Sequence, residues 1–170
     1  MIRGFDPIAT PDAKVLILGT IPGRESLEKN QYYANGRNAF WFIAERLLHI
    51  DSALDYDARA SVVADAGVAI WDVLATTERK GSLDSAILAG SETPNDFRGF
   101  FEQHCAIRSV FFNGAKAEKL FRRLVLPTLP QRGANLELKR LPSTSPANTR
   151  FTRDGKLQEW AAIVGALGVA

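Results

Sequence analysis

Three short apolar runs constrain the fold more than anything else in the chain: Ala13–Gly19, Gly67–Leu74 and Ile107–Gly114. Runs of this length, rich in β-branched residues and stopped by glycine or a polar residue, fit strands buried on both faces. Helical patterns separate them. Residues 38–49 place Phe40, Trp41, Ile43, Ala44, Leu47 and Leu48 on one stripe, with Asn38 in a good N-cap position. Further helices are expected over 56–66, in a short piece after Gly81-Ser82-Leu83-Asp84, over 95–104 opened by Asn95 or Asp96, over 115–124 and over 154–167. Leu136–Leu141 alternates in part and reads as an edge strand. Strands separated by helices predict an α/β fold with a parallel sheet, right-handed crossovers and helices on both faces.

Two loops then draw attention, Gly19-Thr20-Ile21-Pro22-Gly23 after the first strand and Leu141-Pro142-Ser143-Thr144-Ser145-Pro146-Ala147-Asn148 after the last. Both leave carboxyl ends of strands, so both should converge on one crevice of the sheet. The 170 residues predict a single domain over 1–170, because the linker-like stretch 126–133 is too short to divide domains. Apolar residues make up 46%, but no run approaches the roughly 20 a membrane-spanning helix needs. The N-terminal residues lack a signal-peptide pattern, so a cytoplasmic location is expected. Cys105 is the only cysteine, which excludes an intrachain disulfide and a cysteine-held iron–sulfur cluster. With His49 and His104 on different predicted helices, each in a capping or surface role, no metal is expected. Lys and Arg outnumber Asp and Glu by only 21 to 19, so nucleic-acid binding would have to come from local clustering.

The first loop matches neither GxGxxG nor the P-loop consensus, and no nucleotide cofactor is expected. Together with Tyr33, the run Asn38-Ala39-Phe40-Trp41 and Leu141-Pro142-Ser143, it resembles the uracil-DNA glycosylase superfamily. Trp71-Asp72-Val73, Gly81-Ser82-Leu83-Asp84, Phe112-Asn113-Gly114 and the loop 143–148 make the chain most similar to its hypoxanthine-DNA (deoxyinosine) glycosylase family. The likeness runs from about residue 5 to the C-terminal helix. It implies a three-layer α/β/α sandwich with a short parallel sheet and no cofactor. The implied activity is hydrolysis of the N-glycosidic bond of a deaminated base flipped out of double- or single-stranded DNA. The implied protein is a monomer without membrane contact.

The resemblance also implies roles. Most branches carry Asp, Glu or Asn in the first motif to handle the attacking water, whereas this chain has Thr20 and Ile21. Isoleucine cannot orient water and threonine is a weak base. The burden then falls on Asn38, whose amide can hold a water against the sugar carbon, with Thr20 beside it; alternatively Asn38 only caps the helix. Tyr33 is expected to stack on the base, or to cover the core as a rim tyrosine, with Ile21, Pro22 and Asn113 also at the base. Phe40 and Trp41 fall on the apolar stripe and should be core. Asp72 is expected to accept from the N1–H of hypoxanthine while a backbone amide such as Val73 donates to O6; a loop or capping aspartate is the other reading.

Leu141 stands where relatives carry His or Asn, so the familiar charge stabilisation of the leaving base is missing. DNA-backbone contacts are expected from Gly23, Ser26, Ser143, Thr144, Ser145, Pro146, Asn148 and Arg150. Pro146 and Ala147 could enter the gap left by the flipped base. A basic patch is expected from Lys139, Arg140, Arg150, Arg153 and Lys156, with Arg24, Lys29 and Arg37 beside the first loop. The alternatives are a mismatch-specific uracil or thymine glycosylase of the same superfamily, and a non-catalytic nucleic-acid-binding module on the same scaffold.

Overall fold

The structure, a computed structural model, describes residues 1–168. In chain order the strands are β1 (Ile2–Arg3), β2 (Val15–Gly19), β3 (Val68–Asp72), β4 (Leu74–Thr77), β5 (Thr93–Pro94), β6 (Ser109–Asn113) and β7 (Glu137–Leu141). The main sheet has the order β3-β2-β6-β7 and all its pairings are parallel. Strands β2, β3 and β6 are buried at nearly every residue, as the apolar runs require, and β7 is the largely exposed edge strand that its partial alternation predicts.

The single strand expected over 67–74 divides at Val73. There the Val73 N–H donates to the Gly19 carbonyl (2.9 Å) and the Leu74 N–H to the Thr20 carbonyl (3.1 Å). These bonds carry the chain over the end of β2 and out of the parallel sheet. Its continuation, β4, is the centre of a small antiparallel sheet of order β1-β4-β5, which sequence periodicity did not reveal because two of its strands have only two residues.

The helices are α1 (Arg24–Lys29), α2 (Phe40–Leu47), α3 (Tyr56–Asp65), α4 (Phe97–Gln103), α5 (Ala115–Leu120), α6 (Pro130–Ala134), α7 (Arg153–Trp160) and α8 (Ala162–Leu167). Alternation along β2 divides the core in two. Val15 and Ile17 join Phe40, Ile43, Val63, Trp160 and Ile163 on one face, whereas Leu16 and Leu18 join Phe97, Phe100, Leu120 and Phe121 on the other. The result is a three-layer α/β/α sandwich, and Phe40 and Trp41 are core residues at 2% and 8% exposure.

Helix boundaries move by a few residues from expectation. Helix α2 begins at Phe40 rather than next to Asn38, and the long helix expected over 154–167 divides at Ala161. After α5 the chain continues as a wider π turn over Phe121–Val125, and the linker-like stretch holds α6 with proline in its first turn. Asp96, not Asn95, caps α4 by accepting from Gly99 N. His104 ends that helix with Nδ1 2.8 Å from the Phe100 carbonyl.

Candidate active site at the carboxyl edge of the sheet

Register places Gly19 beside Asp72 and Asn113 beside Leu141, so the strand ends form one edge. From β2 the chain moves to β3 on one side and later to β6 and β7 on the other, and the reversal lies between β2 and β6. A crevice is expected outside that edge. One of about 860 Å³ is found there. Its walls bring together fourteen of the predicted positions: Thr20, Ile21, Pro22, Gly23, Ser26, Tyr33, Asn38, Asp72, Asn113, Ser143, Thr144, Ser145, Pro146 and Asn148. Arg150 lies outside the lining, exposed, two residues past Asn148.

The floor is made of buried oxygen atoms. Asp72 is 4% exposed, and its Oδ2 has no hydrogen-bond partner; the same is true of Tyr33 Oη and Thr20 Oγ1. Gly19 makes this approach possible, since a Cβ there would collide with Asp72 Oδ1 and stand 3.3 Å from the Tyr33 hydroxyl. Burial, with the Asp84 charge as the second cause, pushes the Asp72 carboxyl up to about 8, against a smaller opposing effect of Arg79. Burial likewise raises the Tyr33 phenol, so it stays protonated. Val73 N–H, expected to donate to the base, is already bonded to Gly19 O. That expectation is corrected: turning the chain out of the sheet uses up the amide.

Tyr33 adopts the left-handed conformation (φ 55°), a strain of about 1–3 kcal/mol for a residue other than glycine. Its neighbours hold it there. Tyr32 N donates to Tyr56 Oη (3.0 Å), Trp41 Nε1 donates to Tyr32 O (3.0 Å), and Ala34 N donates to Ser26 Oγ (3.2 Å). The Tyr33 ring stacks on Phe40 with centroids 4.0 Å apart. Ser26 is therefore a buried brace for this turn, not the phosphate contact expected of it.

A pair that sequence reasoning missed closes the other wall. Arg79 donates through Nη2 to the Pro22 carbonyl (2.7 Å) and through Nε to the Gly81 carbonyl (2.9 Å), with Nη1 3.8 Å from Asp84 Oδ1. It ties the 79–84 turn to the first loop and brings Asp84 into the crevice. Burial raises the Asp84 carboxyl, while the Thr20 hydroxyl and Arg79 favour its charged form.

At the rim, Asn38 Oδ1 accepts from Phe40 N (2.9 Å), which identifies the oxygen of its amide. The cap reading is corrected by one residue: the N-cap of α2 is Ala39, and Asn38 before it takes the first helical N–H in an Asx turn, which leaves a second lone pair on Oδ1. In the second loop, Asn113 Nδ2 donates to Thr144 Oγ1 (2.9 Å) and Thr144 N donates to Asn113 Oδ1 (2.8 Å), while Ala39 N donates to Thr144 O (3.0 Å). Thr144 is 1% exposed. It clamps the loop to β6 and α2 and is too deeply enclosed for the phosphate contact expected of it. Lys156, expected in the basic patch, is buried and donates to Ser145 O (3.0 Å); Trp160 Nε1 donates to Pro142 O (2.9 Å). Gly114, at φ 94°, lets Ser143 approach to 3.0 Å of where a Cβ would stand. Leu141 is 1% exposed and points into the core.

No group of three potential metal ligands occurs among the described residues, and no helix among them is long and apolar enough to cross a membrane. A family model described as the uracil DNA glycosylase superfamily matches residues 7–164. A "Hypoxanthine DNA glycosylase" of Methanosarcina acetivorans is 35% identical over 162 residues, covering 95% of this chain and 96% of the relative. One of the same name from Methanosarcina barkeri is 31% identical over 160 residues, covering 94% and 95%. The solution NMR structure of a candidate uracil DNA glycosylase from Methanosarcina acetivorans superimposes with a TM-score of 0.80 at 34% identity, covering 98% of both chains. With the fold, the crevice and these relatives in agreement, the chain is a DNA glycosylase and belongs to the uracil DNA glycosylase superfamily.

Proposed function

We propose that this enzyme removes hypoxanthine from deoxyinosine in DNA as a monofunctional glycosylase. Asn38 at the rim and Asp72 at the floor of one crevice carry this reading. A nucleotide flipped from DNA would enter with its base against the face of Tyr33 opposite Phe40, a stack worth about 1–3 kcal/mol per base in single-strand binders. Ile21, Pro22 and Asn113 would flank the base, and Asp72 would meet its Watson–Crick edge.

Asn38 then accepts one hydrogen of a water through the Oδ1 lone pair that Phe40 N–H leaves unused. Held in this way, the water oxygen bonds to C1′ as the C1′–N9 bond breaks, the bonding pair leaving with the purine. Thr20 supports the water from the first loop. The base departs neutral after gaining a proton, and the water gives up one. Gly23, Ser143, Ser145, Pro146, Asn148 and Arg150 face the DNA backbone. No cofactor enters the reaction. The enzyme works as a monomer, in the cytoplasm, with 1–170 as one glycosylase domain.

Single-turnover cleavage of labelled duplexes holding one deoxyinosine or one deoxyuridine, followed by alkali, tests this reading. Preferential cleavage at inosine is expected. Preferential cleavage at uracil would replace the base assignment with that of a mismatch-type enzyme, and gel filtration checks the monomer.

A further inference from the structure

We propose that Asp72 meets the flipped base as a neutral carboxylic acid, its O–H donating to the exocyclic oxygen while its other oxygen accepts the adjacent ring N–H. This rests on the placement of Asp72 at the base edge and adds the protonation state in which it works. The substrate class follows. It comprises bases that present a lactam, a carbonyl next to a ring N–H, which is the edge that deamination creates in hypoxanthine and xanthine and which uracil also carries.

The hydrogen-bond inventory of the floor leads there. An exocyclic oxygen needs a donor, and Val73 N and Leu74 N are taken by Gly19 O and Thr20 O, so the donors left on the floor include the unpartnered hydroxyls of Tyr33 and Thr20 and, once protonated, Asp72, the one group among these three that sets a donor and an acceptor side by side on two atoms. The amide of Asn95 donates outside the crevice to the backbone carbonyl of Asp72 (2.8 Å). Asp72 Oδ2 is itself buried and unpartnered. A carboxylate would aim two acceptors at the base, one of them toward another oxygen lone pair, whereas a carboxylic acid offers one donor and one acceptor side by side. Leaving such a carboxylate unpaired in the interior is costly.

The surroundings favour the proton. No ion pair reaches Asp72 among the described residues. From the 79–84 turn it faces Asp84, which repels its charge, and Arg79, which opposes that effect more weakly; Arg79 donates through Nη2 and Nε to the Pro22 and Gly81 carbonyls, while its buried Nη1 lies 3.8 Å from Asp84 without a hydrogen bond. Tyr32 and Tyr33 face it from the turn before α2, both with phenols raised by burial and by the Asp72 charge itself. Lys116 of α5 acts on Asp84. Burial and the Asp84 charge together raise the Asp72 carboxyl to about 8. At neutral pH the protonated form therefore predominates. A neutral acid can also pair with the edge of adenine by reversing its donor and acceptor, so rejection of adenine falls on the greater cost of extruding a sound base pair.

The test follows single-turnover excision of inosine from pH 5 to 10, and of inosine against adenine and uracil at pH 7, for the wild type, Asp72→Asn and Asp72→Ala, with a carbon-13 titration of the Asp72 carboxyl in the wild type. Wild-type excision should fall by about tenfold per pH unit above the Asp72 midpoint. The Asn variant keeps one donor and one acceptor, and should stay active at pH 7 without that limb; the Ala variant should lose base preference. The carboxyl resonance should titrate near pH 8. Excision that rises with pH through this range, or a carboxyl that titrates below pH 5, overturns the neutral acid while leaving Asp72 at the base. Unchanged base preference in both variants removes Asp72 from the base and overturns both readings.

Discussion

Asn38 combines two demands in one side chain, because its Oδ1 both holds the first N–H of α2 in an Asx turn and is the proposed anchor of the water. Asn38→Ala should lower single-turnover excision by about 10²-fold, the scale of loss when a reactant is no longer held in place. It should also cost about 1 kcal/mol of stability through the lost hydrogen bond to Phe40 N. Asn38→Asp retains the acceptor oxygen of the turn, so it separates the two roles: thermal stability near wild type with altered excision supports catalysis, and wild-type excision by the Ala variant would leave only the turn. Asp72 gives a second prediction at this scale. Its folded pKa lies above the ordinary carboxylate value, so between about pH 4 and about 8 the native state holds a proton that the unfolded chain releases. Stability from this group is full below that window and is lost as pH rises through it, with a slope of at most about 1.4 kcal/mol per pH unit. Denaturant melts across this range should show a flatter profile for Asp72→Asn, and parallel profiles would contradict the raised pKa.

At the scale of elements, the site depends on α7 and β6 gripping the second loop. Lys156 leaves α7 to hold the Ser145 carbonyl, and burial lowers its pKa. Lys156→Met preserves the length of the side chain and should weaken DNA binding by about tenfold by loosening the loop, roughly the loss of one charged hydrogen bond. It should leave the salt dependence of binding unchanged, since Lys156 touches no phosphate; a slope reduced by about one would restore it to the basic patch. This contrast also marks the limit of what the sequence discloses. The apolar runs disclosed β2, β3 and β6, and with them the placement of Gly19, Asp72 and Asn113 at strand ends, because a parallel core needs continuous apolar residues. Arg79 and Asp84 were hidden, since their contact with Pro22 exists only after the 79–84 turn folds back on the first loop. Lys156, Ser26 and Thr144 misled for a related reason: a polar side chain is read as solvent-facing until the fold supplies a buried partner.

For the molecule as a whole, a formal net charge of +2 says little about DNA, and the distribution says more. Several arginines are tied up away from the crevice: Arg59 with Glu45, Arg122 and Arg140 with Glu118, and Arg123 with Glu92. Arg153 lies over the Phe42 ring at 4.0 Å. By contrast Arg24 and Arg37 line the crevice, Arg150 follows the second loop, and all three are exposed without an ion pair among the described residues. A protein so charged should hold DNA through few phosphates, leaving recognition to the flipped nucleotide. Each neutralised phosphate contributes about −0.9 to the slope of log K against log salt on duplex DNA. Three such arginines predict a slope near −3, and Arg24→Ala, Arg37→Ala and Arg150→Ala should each reduce it by about one without changing the ratio of inosine to uracil cleavage. Binding isotherms between 50 and 200 mM salt, roughly the range over which counterion release is resolved, check this. A much steeper slope that survives all three substitutions would move the DNA path away from the crevice mouth and toward Lys139 and Arg140 on the edge strand.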